Sequence, residues 1–167
     1  HLRREDARDV FEEAIDDFGE VLARNPASLD ARSNRGVAWT RFAEAQGRQH
    51  IDPRPSFRQA VADYDEIIRT TPSHTQAWLH RALARIVIGD ANKVVGEDPG
   101  PPWEEALGDL AHVEELEPAN WRARATRGLL LQKQGKTEEA IRAYEEALRI
   151  SPGQPAVKAQ LDALRKK

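Results

Sequence analysis

Four stretches of this chain carry the same skeleton, and no other feature restricts its fold as much. Ala14, Phe18, Val21 and Pro26 stand at offsets 0, +4, +7 and +12. Ala60, Tyr64, Ile67 and Pro72 keep those offsets, as do Ala106, Leu110, Val113 and Pro118, and Ala140, Tyr144, Ala147 and Pro152. Positions i, i+4 and i+7 share one face of an α-helix, so each set describes an amphipathic helix that a proline then stops. The last copy is the fullest. Gly135 breaks the chain before it, Ala140, Ile141, Tyr144, Ala147 and Leu148 form one stripe, and Pro152 ends it. Four matched sets of four positions make this a repeat protein.

Taken in order, the periodicity predicts helices over Arg4 to Arg24, Leu29 to about Gln46, Pro55 to Arg69, Thr75 to Val95, Pro101 to Leu116, Trp121 to Lys133, the helix already described, and Gln154 to Lys167. Ser28 is placed to cap the second helix, and Ser73 with Gln76 fits a capping box at the fourth. Gly47 to Arg54 and Gly96 to Gly100 read as loops. Pro55 and Pro101 suit the first turns of the helices that follow them, where a missing N–H costs nothing.

The prolines set the unit length. Pro26 to Pro72 and Pro72 to Pro118 are 46 residues each, and Pro118 to Pro152 is 34. The 12-residue excess lies in the same place twice, between Gly36 and Ala60 and between Ala82 and Ala106, each pair 24 apart against 12 from Gly128 to Ala140. Asp52-Pro53 aligns with Asp98-Pro99, Pro55 with Pro101 and Phe57 with Trp103, all at 46, so the excess is a feature of the unit.

Residues 121–154 resemble a tetratricopeptide repeat, a 34-residue helix–turn–helix unit, through Gly128, Gly135, Ala140, Tyr144, Ala147 and Pro152. The resemblance implies an all-α fold, a right-handed superhelix of antiparallel helix hairpins. It divides the chain into a lone second helix (1–26), two long units (27–72 and 73–118), a standard unit (119–152) and a capping helix (153–167). Small residues at Gly36, Ala82 and Gly128 are expected to face Ala60, Ala106 and Ala140, and Phe18, Tyr64, Leu110 and Tyr144 to fill the gap to the next hairpin. Trp78 takes the family's usual packing aromatic and is expected in the core, while Phe57 and Trp103 are expected to pin the lengthened loops. The helix carrying Phe11, Ile15 and Phe18 lacks a preceding partner, which marks a cut edge, a docking surface or a homodimer contact.

Composition narrows the functional classes. The 167 residues carry 25 basic and 28 acidic side chains, interspersed, for a net charge of −3, which is not the one-signed basic face of a nucleic-acid binder. There is no cysteine, and no run approaches the ~18 apolar residues of a membrane span. No leader core is visible, although a chain that starts at His1 reads as a piece of something longer. The expected setting is cytoplasmic. No enzyme motif is present: the histidines are not spaced as metal pairs, and there is no phosphate loop or nucleophile elbow, so no catalytic residue, cofactor or metal is expected. Asp52 and Asp98 read as turn or cap residues ahead of proline, with a shared cation or a partner contact as the alternative.

In the resembled family the first helices of successive hairpins line a concave wall. Carried across position by position, that wall would show Asp30, Ser33, Asn34, Val37 and Arg41; then Gln76, Leu79, His80, Leu83 and Val87; then Arg122, Ala125, Thr126, Leu129 and Lys133. The expected peptide-binding residues are Asn34, Val37, Arg41, Gln76, Leu79, His80, Leu83, Arg122, Thr126, Leu129 and Lys133. Asn34, His80 and Thr126 share one rung, so the full asparagine ladder that bonds a peptide backbone in some members is absent, as is the basic set that clamps a terminal carboxylate. The implied function is a non-catalytic module that binds a peptide or protein segment on its concave face or along the ridge of the inserts. The alternative is a self-associating or spacer module of a larger, bacterial-type signalling protein.

Overall fold

Three residues spaced 46 apart start the inward-facing helices of the fold, each by the same device. Ser28 Oγ accepts the Ala31 N–H at 3.3 Å, His74 Nδ1 accepts the Ala77 N–H at 3.2 Å, and Asn120 Oδ1 accepts the Ala123 N–H at 3.1 Å. Each satisfies one amide that a helix start leaves unpaired. The capping box expected at Ser73 is therefore replaced: the cap is the next residue, His74, acting through its unprotonated Nδ1.

The computed structural model describes residues 7–166. The helices are α1 Ala7–Arg24, α2 Leu29–Arg48, α3 Arg54–Thr70, α4 Thr75–Val94, α5 Gly100–Leu116, α6 Trp121–Lys133, α7 Thr137–Ile150 and α8 Pro155–Arg165, and among the described residues there is no strand. The expected start of α1 at Arg4 lies outside the described residues, as does His1. Each helix packs on the next in chain order, giving the antiparallel hairpin stack of an all-α, right-handed superhelix.

The extra 12 residues of the long units are mostly helix. The first helices α2 and α4 have 20 residues against 13 in α6, the second helices α3 and α5 have 17 against 14 in α7, and the connecting segments have five residues against three. The expected loops are thus short, and the hairpins instead stand about 10 Å taller on the α2 and α4 side. Asp52 and Asp98 serve the short connections: Asp52 Oδ1 accepts the Arg54 N–H at 3.0 Å and Asp98 Oδ1 the Gly100 N–H at 2.8 Å. Arg54 also reaches Glu97 at 2.8 Å and Asn92 Oδ1 at 3.2 Å, tying one hairpin tip to the next.

Hairpins close by matching a small residue to a large one. A Cβ on Gly36 would lie 2.8 Å from the Tyr64 ring, and one on Gly128 would lie 2.8 Å from the Tyr144 ring. These glycines thus make room for the facing aromatic ring, and not for Ala60 or Ala140 as expected from the sequence. In the middle unit Ala82 and Leu110, both fully buried in one cluster, take the two places. The lengthened tips repeat the rule: the Trp103 ring lies where a Gly89 side chain would be, and Phe57 packs in one cluster with Ala43. Trp103 Nε1 also donates to Ile86 O at 3.3 Å.

At the N-terminal end Ile15 is buried with Ala38 and Phe42, and Phe11 packs against them, so α1 spends these residues on α2. At the other end Val157, Leu161 and Leu164 of α8 are buried against the α7 cluster. Trp78 is half-buried and packs against the two core clusters on either side of it; its Nε1 donates to Pro72 O at 2.8 Å and its ring lies 4.4 Å from that of His112.

Candidate functional site

The small–large pairing seats each of α2, α4 and α6 on its hairpin partner, and in the first two hairpins a buried carboxylate ties the same helices together. Arg35 of α2 grips Asp63 of α3 with two hydrogen bonds of 2.9 and 2.6 Å. Arg81 of α4 grips Asp109 of α5 at 3.1 and 2.6 Å, and Arg85 adds a bond of 2.6 Å. Asp63 and Asp109 are almost wholly buried, so the two-pronged guanidinium contact is what makes their burial tolerable. Ala143 stands at the third equivalent place, and there Arg127 turns instead to Glu146 at 3.0 Å. Arg35, Arg81 and Arg127 are 46 apart, a signal visible in the sequence.

Between these helices lies a groove of about 530 Å³. Six of the eleven expected residues line it: Val37 and Arg41 from α2, His80 and Leu83 from α4, Leu129 and Lys133 from α6. Val37, Leu83 and Leu129 are equivalent residues, 46 apart, and each is exposed, at 37, 42 and 39%. They form an aliphatic ladder, one rung per hairpin, above a floor that includes Phe57, Tyr64 and Ala84.

The other five expected residues do not belong to it. Leu79 is 5% exposed and packs in the core with Ala82, Ile86 and Leu110, so its selection as a groove residue is corrected. Asn34, Gln76 and Arg122 are exposed and Thr126 half-buried, all away from the groove lining. Thr40, Glu44, Val87 and Asp90 complete it instead. Glu44 and Asp90 are again 46 apart, so their equivalence could have been read from the sequence.

Charge in the groove is largely self-contained. Arg41 pairs with Glu44 at 3.0 Å, Lys133 with Asp90 at 2.9 Å, and the Thr40 hydroxyl donates to Gly36 O at 3.0 Å. Burial holds the His80 imidazole below its ordinary pKa, helped by nearby His74, and its ring lies 5.6 Å from that of Tyr64. Burial likewise pushes the Tyr64 phenol up to about 12. At neutral pH both are uncharged, and the groove offers aliphatic surface bordered by closed ion pairs. Among the described residues no cluster of His, Asp or Glu is arranged to hold a metal ion, and no helix is long and apolar enough to cross a membrane.

Stacked helix hairpins with an exposed aliphatic wall define a helical-repeat protein. Residues 121–154 match the family model described as Tetratricopeptide repeat. Among solved structures it is similar to MamA (17% identity over 93% of this chain and 77% of that one, TM-score 0.69). It is also similar to TTC0263, a thermophilic TPR protein of Thermus thermophilus (19% identity, 95% and 74%, TM-score 0.69). A third likeness is to the second TPR domain of human RPAP3, solved in complex with the HSP70 peptide SGPTIEEVD (20% identity, 79% and 96%, TM-score 0.57). At these identities the likeness is one of fold. Among curated proteins no relative matches in sequence.

Proposed function

We propose that this chain is a non-catalytic protein-interaction module that seats a segment of a partner protein in the groove over Val37, Leu83 and Leu129. The observation that carries the reading is the ladder itself. Three equivalent aliphatic side chains stay more than a third exposed on one wall, although every hairpin has buried alternatives for packing. Exposed apolar surface gathered in a concavity, bordered by oriented polar groups, is the usual make-up of a binding site. Paired charges in the groove leave no basic track for nucleic acid. The peptide held by the similarly folded RPAP3 domain supports a peptide-sized occupant. Within this reading the module works in the cytoplasm.

The test is selection of displayed peptides on the intact protein, followed by affinity measurement on Leu83→Glu and, as a control, on Val21→Glu at an exposed position of α1. Selected peptides should lose at least tenfold in affinity to the first variant and nothing to the second. Peptides indifferent to Leu83→Glu would exclude the groove.

A second reading has an observation of its own. Val10 and Val21 of α1 are 47 and 43% exposed, on a helix that among the described residues packs chiefly on α2. A homodimer through that face would appear in light scattering as a mass rising with concentration, and Val21→Glu should abolish the rise.

A further inference from the structure

Along the exposed side of α4, Leu83, Val87, Asp90 and Val94 follow one another at intervals of four, three and four residues. This is the spacing of a helix–helix seam, and it sets the four side chains in one line about 17 Å long. Val94 is 85% exposed. The groove takes in the first three of these residues, and a second depression of about 450 Å³ starts from the same Asp90 and Lys133 and continues to Lys93, Val94 and Trp103. The two depressions form one channel along α4, from His80 to Val94.

The far half of this channel exists because the units are long. Lys133, the last residue of α6, is equivalent to Val87, so α6 ends level with Val87 and leaves the last turns of α4 uncovered on that side. In a 34-residue unit there would be nothing there. At the same height α2 ends on Arg48 followed by Gln49, whereas α4 ends on Val94 followed by Val95. The apolar pair belongs to the unit that has an open neighbour.

The groove's chemistry limits what can lie in the channel. Its Thr40, Arg41, Glu44, Asp90 and Lys133 are already hydrogen-bonded or ion-paired within the protein. An extended segment would press its backbone amides and carbonyls on aliphatic side chains, each unpaired group costing as much as a lost hydrogen bond. An α-helix brings its backbone already paired. Lys93 supplies a charge preference: its ammonium rests 5.8 Å from the Trp103 ring centre, and among the described residues no carboxylate forms an ion pair with it. Acidic residues in the first turn of a guest helix suit both that ammonium and the guest's own dipole.

We infer that the channel takes an amphipathic α-helix of a partner protein, lying antiparallel along α4, with its acidic N-terminal turn beside Lys93. Its apolar side chains meet Val94, Val87 and Leu83, and a polar one meets Asp90. This rests on the groove being the partner site, and it adds the form, direction and reach of the occupant.

The probe is a synthetic N-acetylated peptide of about 16 residues, long enough to span the seam. It carries glutamates in its first turn, leucines at i, i+7 and i+11, glutamine at i+4, and alanine and lysine elsewhere; a second peptide has proline at its centre. Binding is read by fluorescence anisotropy and helicity by circular dichroism. The first peptide should bind and gain helix on binding, and the proline peptide should bind about tenfold more weakly. Val94→Asp, at a position too exposed to affect folding, should weaken the first peptide by about tenfold with an unchanged melting temperature. Equal binding of the two peptides, no loss with Val94→Asp, or no binding of the first peptide at about 100 μM would each overturn the helical occupant. Loss with Leu83→Glu but not with Val94→Asp keeps the groove and removes the helix along α4; peptides bound without regard to Leu83 remove the groove itself.

Discussion

Replacing Gly128 with alanine tests the packing rule of the fold at one atom. In an ordinary helix interior the change stabilises by about 1 kcal/mol, because glycine gives up more backbone entropy than alanine. Here the new Cβ would stand 2.8 and 2.9 Å from Cδ1 and Cε1 of Tyr144, whereas carbon atoms rest about 3.5–4.0 Å apart. The ring cannot swing away: it is 2% exposed, and its hydroxyl donates to Gln132 Oε1 at 3.1 Å. Overpacking of this kind costs about 1–3 kcal/mol, so the net effect of Gly128→Ala should be a loss of about 1 kcal/mol. Gly108, also within a helix but with nothing near its missing Cβ, is the internal control, and Gly108→Ala should gain about 0.5–1 kcal/mol. The middle unit shows the remedy. Alanine at Ala82 is accommodated opposite Leu110, so Tyr144→Leu should remove the penalty of Gly128→Ala, giving a coupling of about 1–2 kcal/mol across the double-mutant cycle. Urea unfolding followed by circular dichroism measures the parent and its four variants. A Gly128→Ala variant as stabilised as Gly108→Ala, or additive single effects, would refute the reasoning.

Asp109→Asn should cost about 3 kcal/mol in urea unfolding, since it leaves Arg81 and Arg85 facing a neutral amide inside the hairpin. Leu79→Glu should unfold the chain or cost more than about 3 kcal/mol, as it forces a carboxylate into the core, whereas Leu83→Glu should leave the melting temperature unchanged. The two leucines are four residues apart on one helix and separate packing from binding. His80 sets a pH dependence. Its folded pKa lies below 6.5 because burial disfavours the imidazolium, so the unfolded chain binds the proton more readily. Its contribution to stability is therefore complete above about pH 6.5 and declines as pH falls from there toward the folded value. His80→Asn, which copies the equivalent Asn34, should flatten that part of the stability curve between pH 7 and 5 in matched thermal melts.

The offsets of alanine, aromatic and proline residues identify the helices and their pairing from the sequence alone, because a helix that buries one stripe must repeat it at 3.6-residue intervals. Two properties were less legible. Which small residue faces which large one depends on the rotation of both helices, and a list of equivalent positions does not contain it; Gly36 was matched to Ala60 by family position, but the space it leaves is filled by Tyr64. The site was legible at Val37, Leu83 and Leu129, which sit on the shared part of the unit, and illegible beyond Arg41 and Val87, where a 34-residue template has no positions to offer. The lengthening explains why those missing positions matter. Seven residues are 1.94 turns at 3.6 residues per turn, so an added segment of that size continues the same face with a drift of only about 20°. Glu44 follows Val37 by seven, and Val94 follows Val87 by seven. An added loop could have pointed anywhere, but added helical turns had to prolong the wall they grew from. The long units therefore lengthen the groove wall itself, and the exposed valine at the end of α4 marks how far it extends.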